Sequence, residues 1–314
     1  MENEIDELFD GGLDDKMEFL NEPTKANTDG IYRVDLSKAK DKKKGYRSVV
    51  RFLPNLTTEG KVGQSALEKI SHYVDIKSMR EISGYYDSPK NFGEKCTLSD
   101  LYYQLINSKN AILQERAKML NYSRKYYSYV LVLEDEQQPE LVGKIMVFQY
   151  GKTIKDKINA EKNGEISGVG VNVFDLSNGK DFVLLVKEIS TGDDTYPDYK
   201  MSMFKPETSS IQIFSKGVFK HAPLKDGKID PKAQSIVREF LMDRQHNLED
   251  FGPKKLDESQ QSKINEIIDF MTGKSSNSMS KESNPSSSDF DFEESMTSES
   301  SSTSESDDDF FSDL

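Results

Sequence analysis

The sequence predicts a mixed α/β protein that is mainly β-sheet, with helices gathered toward its carboxyl end. Short runs rich in β-branched and aromatic residues, bounded by Gly, Pro, Asn or Asp, recur between residues 31 and 190 and are typical of strands. Apolar residues then recur at helical spacing over residues 231–245 and 257–271, and Gly273 provides a stop signal. These patterns place the strands first and the helices last.

Charge divides the chain into an acidic arm, a basic body and an acidic tail. The net charge is -13 over 314 residues, of which residues 1–23 contribute -8 and residues 275–314 contribute -10, so residues 24–274 carry +5. We therefore place the folded core at 31–274, after an acidic amino-terminal arm at 1–30. Sixteen of the last forty residues are Ser, which leaves too few apolar side chains for a core and predicts a disordered tail at 275–314.

The central pattern of the core is a pair of strands at residues 126–133 and 144–150, joined by an acidic, Pro-containing connection at 134–142. Aromatic and cationic residues border both strands: Arg124, Lys125, Tyr126, Tyr127, Phe148, Tyr150, Lys152, Lys155 and Lys157. Unpaired bases stack on rings while phosphates attract Lys and Arg, so this pattern favours contact with a single-stranded nucleic acid. On this segment alone, ordinary cross-strand pairs beside solvated lysines are the simpler interpretation.

Two strands precede this pair, at residues 31–36 and 48–53, with a lysine-rich loop between them that includes Lys42, Lys43 and Lys44. The loop is either a phosphate contact or a solvated turn. Arg51 lies inside the apolar second strand. It must therefore reach a functional face or be paired, because burying an unpaired cation is costly.

Residues 65–120 form an insertion of mixed character. It contains a helix that begins near residue 97 and runs to about residue 106, and a second helical pattern at 111–120. A strand at 182–189 follows, and the next residues form a loop that carries Tyr196, Tyr199 and Lys200. Helices within about 231–271 complete the core.

The sequence contains no pattern that predicts catalysis, and we expect a protein that is not an enzyme. Its three His and one Cys leave little room for a nucleophile with its base or for a zinc cluster. Gly151, Lys152 and Thr153 resemble the end of a phosphate-binding loop, but Met146 stands where that motif requires Gly. One Cys, no secretory signal and no long apolar run predict a protein of a reducing compartment with no membrane partner.

Several segments resemble, in order and spacing, the helix-destabilising single-stranded DNA-binding proteins of T-even-type bacteriophages. They are VVRFLPN at 49–55, VGKIMVFQYGKTIKDKINA at 142–160, DFVLLVKEIS at 181–190 and the acidic tail that ends in FFSDL. The resemblance covers about residues 31–274. It implies a five-stranded OB-fold barrel with an inserted subdomain, whose groove binds single-stranded DNA with little sequence preference. It further implies a protein that coats exposed strands in the cytoplasm of the infected bacterial host and recruits replication, recombination and repair proteins through its tail.

The resemblance also assigns candidate site residues. Groove aromatics fall at Tyr126, Phe148, Tyr196 and Tyr199, and a groove cation falls at Arg51. With the flanking residues and two more loosely aligned tyrosines, the predicted DNA-binding set is Lys42, Lys43, Lys44, Arg51, Tyr102, Tyr103, Arg124, Lys125, Tyr126, Tyr127, Phe148, Tyr150, Lys152, Lys155, Tyr196, Tyr199 and Lys200. The predicted partner-binding residues of the tail are Phe310, Phe311 and Leu314.

The chain departs from the family pattern at an implied zinc site. The resemblance implies a zinc held in the insertion by one His and three Cys, and here His72 and Cys96 occupy about two of the four places, whereas Tyr85 and Ser99 occupy the others. Two ligands do not complete a closed tetrahedral site. We therefore predict that the protein has no metal cofactor and that packing holds the insertion.

The amino terminus is a second departure, and it bears on self-association. The family's amino terminus is basic and mediates contacts between neighbours on DNA, whereas residues 1–23 here are acidic. Self-association along DNA would then use another surface, such as the loop at 38–47. Two alternatives to DNA binding stay open: an acidic-tailed scaffold whose barrel binds protein, and an RNA-binding OB protein.

Overall fold

The computed structural model describes residues 30–38, 45–56, 63–166, 168–191, 194–244 and 246–273. The predicted arm, apart from Gly30, the predicted tail and the lysines at 42–44 lie outside these residues. The strands are β1 Ile31–Tyr32, β2 Tyr46–Leu53, β3 Leu67–Val74, β4 Gly84–Asp87, β5 Leu120–Asp135, β6 Ile145–Tyr150, β7 Gly179–Thr191, β8 Asp194–Asp198, β9 Met203–Ser209, β10 Gln212–Ser215, β11 Val218–His221, β12 Leu224–Lys225 and β13 Lys228–Ile229. The α-helices are α1 Thr97–Ile106, α2 Ala111–Ala117, α3 Lys152–Asn163, α4 Pro231–Met242 and α5 Glu258–Thr272.

A nine-stranded sheet is built around β5, which is 16 residues long. One edge of β5 pairs with β6, and the other pairs with β3 along residues 120–127 and with β2 along residues 129–135. Strand β7 pairs with the far edge of β2, and both β8 and β9 pair with β7. The predicted mixed α/β, mainly β, class is confirmed. Among the described strands the pairings do not close into a barrel, so the five-stranded barrel is not confirmed.

Strand β5 separates two apolar cores, because alternate residues of a strand point to opposite faces. Its odd-numbered residues, including Tyr129 and Leu131, pack in a core with α4. Its even-numbered residues Val130 and Val132 pack in a second core with α3. A third core joins the start of β5 to α1, α2 and α5. The core of the insertion and the two cores of the main sheet are thus joined by one continuous strand, β5. None of the helices in the described ranges is long and apolar enough to cross a membrane.

Several predicted elements differ from the observed ones. The strand expected at 31–36 is only two residues long, because Leu36–Lys38 forms a 3-10 turn and the Asp35 carboxylate accepts a hydrogen bond from the Ser37 amide. The loop expected after residue 189 begins as the β7–β8 hairpin. The second helix of the insertion ends at Ala117, because Leu120 already pairs with β3. The insertion also contributes β3 and β4 to the main sheet.

Candidate nucleic-acid interface

The even-numbered face of β5 is covered by helices at two places and is more open between them. Leu120, at the start of the strand, lies in the same core as α1. Tyr126 lies in the core with α3 and is only 8% exposed. Tyr122 and Arg124, on the same face between these points, are half-buried. We call Tyr122, Arg124 and their neighbour Glu68 on β3 the β5 interval.

In the β5 interval, the Tyr122 ring lies beside the Arg124 guanidinium, which forms an exposed ion pair with Glu68. Arg124 donates from Nη2 to the Tyr122 hydroxyl at 3.3 Å. Its Nε lies 3.3 Å from Glu68 Oε1, and both side chains are more than a third exposed. Burial lowers the pKa of Arg124, but the hydrogen bond to Tyr122 and the charge of Glu68 outweigh burial and raise it, so the guanidinium stays charged. Exposed ion pairs are weak, so a phosphate would readily replace Glu68 as the partner of Arg124.

Tyr126 continues this face as the outer ring of an aromatic stack. Its ring lies 5.8 Å from that of Tyr150, with an interplanar angle of 24°. Tyr150 is 3% exposed and its hydroxyl lies 2.9 Å from Ser128 Oγ. The Lys155 ammonium group lies 5.5 Å from the centre of the Tyr126 ring, within the range of a cation–π contact. A lysine thus covers the outermost ring of the stack.

Helix α3 supplies positive charge next to Tyr126. It begins after Gly151, has neither a side-chain cap nor an acidic residue in its first turn, and carries three lysines, Lys152, Lys155 and Lys157, against one acid, the exposed Asp156, in its first half. The helix macrodipole adds partial positive charge at this end. Ile154 and Ile158, four residues apart, anchor the helix on the sheet. The first half of α3 is therefore an attractive surface for an anion.

Helix α3 also brings the predicted β5 residues close to the predicted loop after β8. Lys157 donates from Nζ to the Lys200 carbonyl at 3.1 Å. Tyr199 packs against the core that contains α3, and Lys200 is exposed. Tyr196 is half-buried in β8. Two sets of residues about 45 positions apart in the chain thus meet around one helix.

Four predicted site residues are buried: Tyr126, described above, and Arg51, Phe148 and Tyr150, whose predicted contact with DNA conflicts with that position. Arg51 is 2% exposed, donates from Nη2 to the carbonyls of Asp175 and Ser209, and lies 3.4 Å from the Asp181 carboxylate. Burial lowers its pKa, against the charge of Asp181. Phe148, 1% exposed, and Tyr150 pack on the ring of Phe52. A base could reach these side chains only if the sheet opened, so we leave them out of the interface.

The other predicted residues lie at various distances from this face. Tyr127 and Lys125 are odd-numbered residues of β5 and point to the opposite face, where the Tyr127 ring stacks 6.1 Å from Phe251. On α1, Tyr102 is half-buried, and Tyr103 is 48% exposed with the Lys90 ammonium group 5.7 Å from its ring. Lys42, Lys43, Lys44, Phe310, Phe311 and Leu314 lie outside the described residues.

The sequence-based set did not include Tyr122. The signal for it was the alternation of a strand, because Tyr122, Arg124 and Tyr126 are spaced by two and therefore share one face. The predicted strand began only at residue 126, which hid this spacing. Glu68 was not included because its register opposite Tyr126 depends on the pairing of β3 with β5.

The residues at the implied zinc site form a small buried polar cluster. His72 Nε2 lies 3.0 Å from Ser99 Oγ and 3.7 Å from Cys96 Sγ. Burial raises the pKa of the Cys96 thiol, but hydrogen bonds with His72, Ser88 and Ser99 lower it to about 6. Tyr85 is 73% exposed and stacks on Tyr73, so it is not part of the cluster. The donor set that converges here does not fit a closed zinc site.

A ring, a cation and a stacked aromatic on one strand, beside a lysine-rich helix end, are typical of proteins that bind single-stranded nucleic acid on a β-sheet surface. Comparison with known families agrees with this class. Residues 44–271 match the family described as "gp32 DNA binding protein like", and the chain belongs to this family. The predicted resemblance to the proteins of T-even-type phages is confirmed.

Two relatives are called single-stranded DNA-binding protein. The one from Enterobacteria phage T4 is 29% identical over 161 residues, which are 49% of this chain and 50% of the relative. The one from Enterobacteria phage T2 is 29% identical over 160 residues, which are 49% of each chain. The alignments thus span about half the length of the relatives.

Proposed function

We propose that this protein binds single-stranded DNA, without strong sequence preference, on the surface formed by the β5 interval and the first half of α3. The observation that carries the proposal is the alternation of Tyr122, Arg124 and Tyr126 on one strand face that leads directly to the lysines of α3. The family of the chain and the names of its relatives support DNA as the polymer.

Each part of this surface matches a part of an unpaired strand. Bases stack on Tyr122, and stacking of one base on a ring contributes roughly 1–3 kcal/mol whatever the base. A phosphate replaces the Glu68 carboxylate as the ion-pair partner of Arg124, and further phosphates are attracted to Lys152 and Lys155. Tyr126 is 8% exposed and packs in the core with α3, so its ring positions Lys155 beside this surface and does not itself stack a base. Duplex DNA presents no free base faces, so the same surface discriminates against it.

The biological role follows from this preference by linkage. A protein that binds only the open form of a strand lowers the stability of hairpins and duplexes. We propose that it coats exposed strands in the cytoplasm of an infected bacterium, that its sheet is of the OB type, and that it is not an enzyme. We further propose that the acidic tail, with Phe310, Phe311 and Leu314, recruits proteins of replication, recombination and repair, and that bound copies contact one another along the strand.

Titration with labelled oligo(dT), with an equal-length duplex and with an equal-length RNA oligomer tests the proposal. We expect tight binding of oligo(dT) alone, with log affinity falling linearly as log salt rises, because bound phosphates release counterions. Tyrosine emission provides a second readout, since the chain has no Trp. Equal binding of the duplex would contradict the stacking surface. Tighter binding of RNA would favour an RNA-binding protein. If none of the three oligomers bound, the acidic-tailed protein scaffold would be the remaining alternative.

A further inference from the structure

The buried cluster of His72, Cys96 and Ser99 joins two elements of the insertion. His72 lies on β3, Cys96 is the residue before α1, and Ser99 lies in the first turn of that helix. All three are at most 2% exposed. The imidazole Nε2 contacts both the hydroxyl and the thiol, at 3.0 Å and 3.7 Å. The start of α1 is thereby tied to the middle of β3 by side chains alone.

The position of Tyr85 shows why its side chain does not join the cluster. Strand β4 pairs Tyr86 with His72 and Tyr85 with Tyr73. Because neighbouring residues of a strand point to opposite faces, the Tyr85 side chain lies on the other side of the sheet from the His72 imidazole. A structural zinc needs four ligands at about 2.0–2.3 Å, most often thiolates and imidazoles. One imidazole, one thiol and one hydroxyl do not provide them.

We propose that His72, Cys96 and Ser99 form a metal-free hydrogen-bonded latch, which holds α1 on β3 where the family resemblance implies a zinc ion. The latch pairs His72 Nε2 with the Ser99 hydroxyl and the Cys96 sulfur, whereas the buried His72 Nδ1 has no hydrogen-bond partner within the described residues. The latch fixes the position of α1 as a bound metal would, and the protein folds without an ion.

Apolar packing supplies the stability that a metal would otherwise provide. The third core contains Val74 from β3, Leu101 and Leu105 from α1, and Ile267 and Met271 from α5. In addition, the Arg116 guanidinium on α2 donates to the Met271 carbonyl at 3.0 Å. Helix α5 lies almost 200 residues after β3 in the sequence and outside the insertion, yet its apolar residues complete the core of the insertion. The insertion is held by its own helices and by this distant one.

Metal analysis and thermal unfolding of the full-length chain test the latch. We expect no stoichiometric zinc after purification from zinc-supplemented cells, and the same melting temperature with EDTA, with added zinc or with neither. One tightly held zinc per chain, or a melting temperature that falls on chelation, would overturn the proposal. These readouts do not depend on DNA binding, so the latch and the proposed function stand or fall separately.

Two single substitutions test the geometry, with cobalt(II) as the probe. Ser99→Cys adds a second thiol beside His72 and Cys96, and we expect it to bind cobalt with the absorption of a thiolate–cobalt complex. Tyr85→Cys is the matched control, because it places a thiol on the far side of β4, and we expect the wild-type spectrum. Cobalt binding by Tyr85→Cys, or none by Ser99→Cys, would refute the assigned arrangement.

Discussion

Replacing Tyr122 by Ala tests the proposed interface most directly. Tyr122 is half-buried between the two helix-covered places on the even-numbered face of β5, and β3 pairs with the strand at this position. If one base stacks on this ring, its removal costs roughly 1–3 kcal/mol, which is a 5- to 150-fold loss of affinity for oligo(dT). The slope of log affinity against log salt should not change, because tyrosine is uncharged and its loss removes no contact between a cation and a phosphate.

The truncation also removes contacts inside the protein, and two of these set the controls. The Tyr122 ring lies 5.6 Å from that of His72, and its hydroxyl accepts a hydrogen bond from Arg124. Tyr122→Phe keeps the ring and removes only the hydroxyl, so we expect it to retain most of the affinity. Tyr85→Ala removes a ring that is 73% exposed on the other face and should bind as the wild type does.

Anisotropy of a labelled oligo(dT) is the appropriate assay, because it does not depend on the tyrosine emission that the substitutions alter. The thermal unfolding temperature of each variant shows whether the fold is kept. Wild-type affinity in a folded Tyr122→Ala protein would refute stacking at this position. An equal loss in Tyr85→Ala would show that the DNA path lies elsewhere.

Three further predictions concern charge and stability. Arg124→Gln should reduce the slope of log affinity against log salt by about 0.7, the value for one phosphate contact on a single strand, whereas Lys125→Gln on the opposite face should not; equal slopes would remove Arg124 from the interface. Glu161→Gln leaves Lys180, its partner at 2.6 Å with both side chains 5% exposed, as an uncompensated buried charge, so urea unfolding should show a loss of about 3–5 kcal/mol. A loss below about 1 kcal/mol would show that water reaches this pair. Burial and the charge of Asp87 raise the pKa of Tyr127 from its ordinary 10.0 to about 12, so the neutral hydroxyl stabilises the folded state below pH 10 and this contribution is lost as the pH rises through 12. Tyr127→Phe should make the fall in stability between pH 10 and pH 12 less steep without abolishing it, because burial also raises the pKa of Tyr129 and Tyr150, and an unchanged fall would assign it to such other groups.

The sequence predicted the elements whose patterns are local. The strands at 48–53 and 182–189 are mostly apolar runs that lie within β2 and β7; residues 48–53 are all buried, and in β7 the buried Phe182, Leu184 and Val186 alternate with half-buried residues before the strand becomes exposed at residue 187. Helices α4 and α5 have clear apolar spacing and lie close to their predicted bounds. Helix α3 was not predicted, because its buried face contains few apolar residues, chiefly Ile154 and Ile158, within a mostly charged segment.

What the sequence did not predict depends on residues far apart in the chain. Arg51 was left as either a surface cation or a paired one, and its partners Asp181 and Ser209 lie 130 and 158 residues away. No local pattern identifies such partners. Whether an aromatic residue of a strand faces a groove or a core also depends on what covers that face. For Phe148 the cover includes Tyr32, which belongs to a different strand.

The length of β5 has a mechanical consequence for the proposed interface. Leu120 and Tyr126 belong to cores on the two sides of the β5 interval, and six residues of extended chain place them about 20 Å apart. One continuous strand, paired with β3 over residues 120–127, sets this span. The proposed surface therefore keeps a nearly constant length, and a flexible strand bound there would conform to it. In the proposed binding mode, most of the ordering on binding then falls on the DNA.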